Sequence, residues 1–130
     1  LIRELVYEAG YPSSSLKERI YYDDDEGGIL IYTTEIDNAG TLGGLVEQGR
    51  IDRIKNIIIN SLKKASWCSA DPVCSELEFQ GWGKLNTSSC HACSLIPETS
   101  CSYSNVFLNR SFIIGDKNIT PFFNIEDIIK

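Results

Sequence analysis

The chain has 130 residues, 42% of them hydrophobic and 23% charged, which suits one domain with a genuine core and excludes a disordered or low-complexity segment. Its net charge of −6 argues against autonomous nucleic-acid binding, where basic side chains on phosphates supply most of the affinity. The longest apolar runs, at residues 29–32 and 57–59, fall far short of the ~18 residues a membrane span needs, and no signal peptide is visible. A cytoplasmic protein without membrane association is expected. The chain opens on Leu1 and contains no methionine, which reads as a fragment of a larger protein whose remainder carries the main activity.

The first expected element is a helix over residues 1–10, with Leu1, Leu5 and Ala9 recurring every fourth residue before Gly10 and Pro12 stop it. Ser13 to Ser15 form a polar bridge. Residues 18–22 and 28–34, rich in β-branched and aromatic side chains, read as two strands of a hairpin. The second strand is apolar at nearly every position from Ile29 to Tyr32, as for a strand covered on both faces. Between the strands lie Asp23, Asp24, Asp25 and Glu26, best read as an exposed acidic turn, with a divalent-cation site as the alternative.

Residues 37–45 follow, with Gly40, Gly43 and Gly44. A glycine loop opening a helix can cradle a phosphate, but the Gly-Lys-Ser/Thr ending of a P-loop is missing and dinucleotide spacing is not met. The glycines read instead as close helix–sheet approach. Gly49 ends a short helix. A longer one runs from Ile51 to Ser66, burying Ile51, Ile54, Ile58, Leu62 and Ala65 and solvating Arg53, Lys55, Lys63 and Lys64.

All five cysteines then fall within 34 residues: Cys68, Cys74, Cys90, Cys93 and Cys101. The first four read C-x5-C-x15-C-x2-C. A C-x2-C knuckle presents two thiolates to one ion from a tight turn, and a second pair completes the tetrahedron that zinc prefers. The first pair is loosely spaced, but Asp71-Pro72 supplies a turn to close it. Disulfides would leave an odd cysteine and require an oxidising compartment. A redox C-x-x-C would follow a strand in a βαβ setting, and none is expected here. An iron–sulfur cluster also uses four cysteines and is not dismissed by spacing alone, but zinc is the leading reading. The one histidine, His91, sits between Cys90 and Cys93 and suits a supporting role beside the ligands, not a catalytic pair with cysteine. Trp67 and Trp82 are expected to pack in the core or against the site.

Three segments together resemble a known family. They are Gly40-Thr41-Leu42-Gly43-Gly44-Leu45-Val46, residues 67–74 (WCSADPVC) and residues 90–101 (CHACSLIPETSC). The resemblance is to the domain of unknown function that ends DrmB proteins of the bacterial DISARM anti-phage system. A more divergent form is the Mrf-type zinc-binding domain of certain superfamily 2 repair helicases. It covers residues 1 to 116, with Asn105 and Asn109-Arg110 standing near an "N…LDR" element in which Asn109 replaces the usual Asp.

That resemblance implies a four-cysteine zinc site in an accessory domain, acting with a helicase-like subunit that engages DNA. Carried over residue by residue, Cys68, Cys74, Cys90 and Cys93 are the ligands, with Cys101 as an alternative fourth in place of Cys68. No catalytic residue comes with it.

The expected fold is α+β: one DrmB-type domain over residues 1–130, with a small, mostly antiparallel sheet, packed helices and a cysteine-bound zinc. Arg110 and the acidic loops are expected to face partners. The expected function is a zinc-stabilised scaffold coupling a DNA translocase to its partner or to DNA, in phage defence or repair. The alternative is a metal-dependent hydrolase or nuclease using Asp23 to Glu26 or Asp37.

Overall fold

The computed structural model describes residues 1–34, 44–124 and 127–128. Helix α1 (Ile2–Ala9) turns Leu5 inward with Ile2, while Leu1 of the expected pattern is exposed. Gly10 (φ 74°) takes the left-handed position after the last turn, from which its N–H reaches the Val6 carbonyl at 3.0 Å. A 3₁₀ turn, Ser13–Ser15, leads into strand β1 (Leu16–Tyr22), which pairs antiparallel with β2 (Gly27–Thr33), Leu16 facing Thr33 and Tyr22 facing Gly27.

The acidic run closes that hairpin. The Asp23 N–H donates to the Glu26 carbonyl at 2.9 Å, and the Asp23 carboxylate accepts the Glu26 and Asp25 N–H groups at 2.9 and 3.1 Å. These two donors hold the Asp23 carboxyl below its ordinary value. The turn itself accounts for that carboxylate.

Strand β2 is not covered on both faces. Among the described residues the sheet has only two strands, and Ile29 (62% exposed) and Leu30 (47%) remain on the surface. An apolar run looks the same in sequence whether it is sandwiched or left open, because period-2 patterning is absent in both cases.

Short helix α2 (Gly44–Gln48) and long helix α3 (Ile51–Ala65) follow. Residues 35–43, which hold Asp37 and most of the glycine loop, lie outside the described residues. The buried side of α3 is led by Ile57 and Leu62, while Ile51 and Ile58 are exposed. Ile54, Leu62 and Ala65 of the expected face are buried or half-buried, and Ile57 takes the place expected of Ile58, within the ambiguity left by three consecutive isoleucines. Arg53, Lys55, Lys63 and Lys64 are solvated as expected.

The chain gathers into two units. The first comprises residues 1–57 and 96–105. Its core is Ile2, Leu5, Leu16 and Ile57, with Val6, Tyr11, Ile31, Leu45, Ile54 and Ile96 packed against it. Burying each such side chain is worth ~1.5–3 kcal/mol. The returning segment is laced to the first strand region. Ser100 Oγ donates to Ser13 O at 2.8 Å, Ser102 Oγ to Glu18 O at 2.8 Å, and the Lys17 ammonium to Thr99 O.

The second unit comprises residues 58–95 and 106–130, with helices α4 (Val73–Glu76), α5 (His91–Ser94) and α6 (Ser111–Ile114). Its buried residues are of a different kind: Leu62 is joined by Cys68, Cys74, Asn86, Ser88, Ser89, Arg110 and Ser111. An interior this poor in hydrocarbon gains little from the hydrophobic effect. Trp67 (69% exposed) and Trp82 (80%) do not pack in it, contrary to expectation. No helix among the described residues is long and apolar enough to cross a membrane.

Candidate metal centre

Two short arms carry the four thiols of the second unit. The first leaves the end of α3. The Asp71 N–H donates to Cys68 O at 3.0 Å while the Cys68 N–H donates back to Asp71 Oδ2 at 2.8 Å, closing a tight turn. The Cys74 N–H then reaches Ala70 O at 2.9 Å as α4 begins. The wide C-x5-C spacing is thus taken up by a turn followed by a helix start. In the second arm, Cys90 stands just before α5 and Cys93 lies in its first turn, with the Cys93 N–H on Cys90 O at 3.1 Å. Ser88 ties the arms together, its N–H on Leu77 O at 2.9 Å and its hydroxyl on Ser75 O at 2.7 Å.

The sulfurs converge. Cys68 and Cys90 Sγ are 3.6 Å apart, Cys74 and Cys93 3.5 Å, Cys90 and Cys93 3.9 Å, and all four lie within 4.8 Å of one another. Four thiolates ~2.3 Å from one zinc define a tetrahedron with edges of ~3.8 Å. These separations fit that figure and are far beyond the ~2.05 Å of a disulfide. The space between the sulfurs suits a single ion, not a multi-iron cluster with its inorganic sulfides. The donor set fits a zinc ion, to which four sulfurs would leave no position for water.

Burial acts upward on the Cys74, Cys90 and Cys93 thiols of the metal-free group. Burial pushes the Cys74 thiol up, and the Cys93 thiol up to about 12. At Cys90 burial also acts upward, but the neighbouring Cys74 and Cys68 thiols outweigh it and the value falls. A divalent ion must therefore displace protons from Cys74 and Cys93.

An ion pair between a buried arginine and a half-buried aspartate stands behind the first arm. The Arg110 guanidinium, 4% exposed, donates to both Asp71 oxygens, with Nη1 to Oδ2 at 3.0 Å. It also donates through Nε to Ser88 O at 2.8 Å and through Nη1 to Ala65 O at 3.4 Å. This side chain was expected to face a partner and is instead interior. Arg110 holds the Asp71 carboxyl below the usual carboxylate range, against the upward pull of burial. Sequence reasoning used Asp71 only as a turn residue. The available signal was an acid inside the first cysteine arm and a later arginine within the same resemblance.

Of the other expected site residues, His91 is exposed and takes no part in the four-sulfur group. Cys101 belongs to the first unit, where burial raises its thiol. Asp23 to Glu26 form the hairpin turn, and Asp37 lies outside the described residues.

Comparison with known proteins places these features. The chain is 43% identical over 125 residues to the DISARM protein DrmB of Bacillus paralicheniformis, an alignment covering 95% of this chain and 22% of that relative. The chain therefore spans about a fifth of the relative's length. The model of the MrfA Zn-binding domain matches residues 1–94, a stretch that takes in Cys68, Cys74, Cys90 and Cys93 and stops short of Cys101. The chain belongs to the MrfA Zn-binding domain family.

Proposed function

We propose that Cys68, Cys74, Cys90 and Cys93 hold one structural zinc ion, and that the domain around it is a non-enzymatic scaffold of a larger DrmB-type protein. In this reading the whole 130-residue chain is one functional module, acting in the cytoplasm. It couples a helicase-like translocase to its partner or to DNA during phage defence or repair. The observation that supports it most is the four-sulfur group, with three separations of 3.5–3.9 Å and all within 4.8 Å, close to the edges of a zinc tetrahedron. A saturated site offers no open coordination position, so its contribution is to shape and not to bond cleavage. The exposed apolar side chains of β1 and β2, including Ile20, Ile29 and Leu30, support a module that works against another protein surface.

Elemental analysis of the purified chain tests the metal assignment. We expect about one zinc per chain, lost in Cys93→Ser and kept in Cys101→Ser. Zinc retained by Cys93→Ser, or iron in place of zinc, overturns it. Acid is expected to weaken the metal's hold. Each proton that zinc must displace from a raised thiol lowers apparent affinity about tenfold per pH unit. A chelator titration repeated from pH 8 to pH 6 reads this directly, and a flat profile contradicts thiolate ligation. For the coupling role, the full-length protein should co-purify with its helicase-like subunit, and Cys93→Ser should abolish the association.

A further inference from the structure

The zinc reading leaves open why the two cysteine arms adopt the right separation. Both arms depend on one side chain that touches no sulfur. The Arg110 guanidinium reaches Ala65 O, three residues before Cys68, Asp71 between Cys68 and Cys74, and Ser88 O, two residues before Cys90. Asp71 in turn accepts the Cys68 N–H at 2.8 Å, so the carboxylate links the guanidinium to the backbone of a ligand. Arg110 is itself fixed from behind. Its N–H donates to Thr87 O at 3.2 Å, Thr87 N–H donates to Leu108 O at 2.8 Å, and Ser111 Oγ donates to Ser88 Oγ at 3.0 Å. The segment that carries Arg110 thus runs alongside the approach to Cys90, bridged in parallel at Thr87 and Asn109.

Resting on the zinc assignment above, we propose that Asp71 and Arg110 are positioning residues of the metal centre, which hold the two cysteine arms at tetrahedral separation before the ion arrives. A planar guanidinium suits this role, because its fork can serve a carboxylate and two carbonyls at once in fixed directions; an ammonium has no such fork. The pair is also costly to bury and adds little net stability by itself. Its position behind the ligands accounts for its presence better than fold stability does. Groups one layer behind a metal's ligands commonly govern affinity in this way.

The experiment uses the whole 130-residue chain loaded with Co²⁺ and then competed with Zn²⁺ against a chelator, in Asp71→Asn, Arg110→Lys and the double variant. Each single substitution should weaken metal affinity roughly 10- to 100-fold while stoichiometry stays at one ion. The double variant should lose less than the two single losses combined, because the two side chains share the Arg110–Asp71 contact. The sulfur-to-cobalt charge-transfer absorbance per bound ion should also fall in Asp71→Asn, by up to about a quarter, as the Cys68 arm loosens. A purely structural role would reduce the number of loaded chains but leave the spectrum per bound ion unchanged. Asp71→Asn is nearly isosteric, so it keeps the test alive if Arg110→Lys fails to fold.

Affinities within about twofold of the unsubstituted chain, or weaker binding with an unchanged spectrum per ion, overturn the positioning role alone. Failure of the unsubstituted chain to bind either ion overturns the zinc reading as well.

Discussion

Stripping zinc from the chain with a strong chelator is expected to unfold the second unit and to leave the first unit's core protected. The second unit buries Cys68, Cys74, Asn86, Ser88, Ser89, Arg110 and Ser111, with Leu62 as its one buried hydrocarbon side chain among the described residues. Without an ion its four thiols, each with its sulfur 3.5–3.9 Å from at least one other in the group, lose the interaction that draws the arms together. Structural zinc contributes ~10–16 kcal/mol in small finger peptides, against ~5–15 kcal/mol for the whole stability of an ordinary domain. A loss on that scale cannot be absorbed by the remaining hydrogen bonds, each worth about 1 kcal/mol net. Hydrogen exchange reads the outcome. Amides around Cys74, Thr87 and Cys93 should exchange at near-unfolded rates after chelation, whereas those of Leu5 and Leu16 should remain slow. Unchanged protection around Cys93 in a metal-free sample would remove zinc from the account of this unit's stability.

The first unit is held by a different force and should fail to a different substitution. Leu16→Ala is expected to cost ~2–5 kcal/mol, the usual range for truncating a fully buried leucine. Leu16 has no exposed surface and sits in the cluster with Ile2, Leu5 and Ile57. Ile29→Ala, in the partner strand, should change stability by less than about 0.5 kcal/mol, because Ile29 is 62% exposed. Denaturant unfolding of the zinc-loaded chain compares the two. Equal costs would mean that Ile29 packs against something, and that the correction to the second strand's burial is mistaken.

Much of this arrangement could be read from the amino acids alone. The hairpin is legible because two β-branched runs flank an acidic turn with glycines. The helix ends at Gly10 and Gly49 are legible because glycine stops a helix by a local mechanism. The cysteine group is legible because ligand identity and spacing are chemical constraints in their own right. What sequence reading missed depends on tertiary context. Trp67 and Trp82 are large and apolar, yet they lie on loops that no layer covers. The rotation of the long helix was undecided, since Ile57, Ile58 and Ile59 leave its buried side to be chosen by packing. Arg110 was read as a surface charge because its partner, Asp71, is 39 residues away and already had a local explanation as a turn residue.

The path of the chain through its two units bears on how the protein is made. Residues 1–57 reach their unit's core only when Ile96 and the segment to Asn105 have returned to it, and the cysteine arms lie in between. A ribosome working from the N-terminus therefore exposes all four thiols before the first unit is complete, and supplies Arg110 only after that. The first unit cannot be completed until residues 58–95 of the second have been made, and the second is completed last. A polypeptide released at residue 94, where the family match ends, would hold every cysteine of the metal group yet lack Ile96, Ser100 and Arg110. Such a shortened product would emerge with its thiols in place and with both units incomplete.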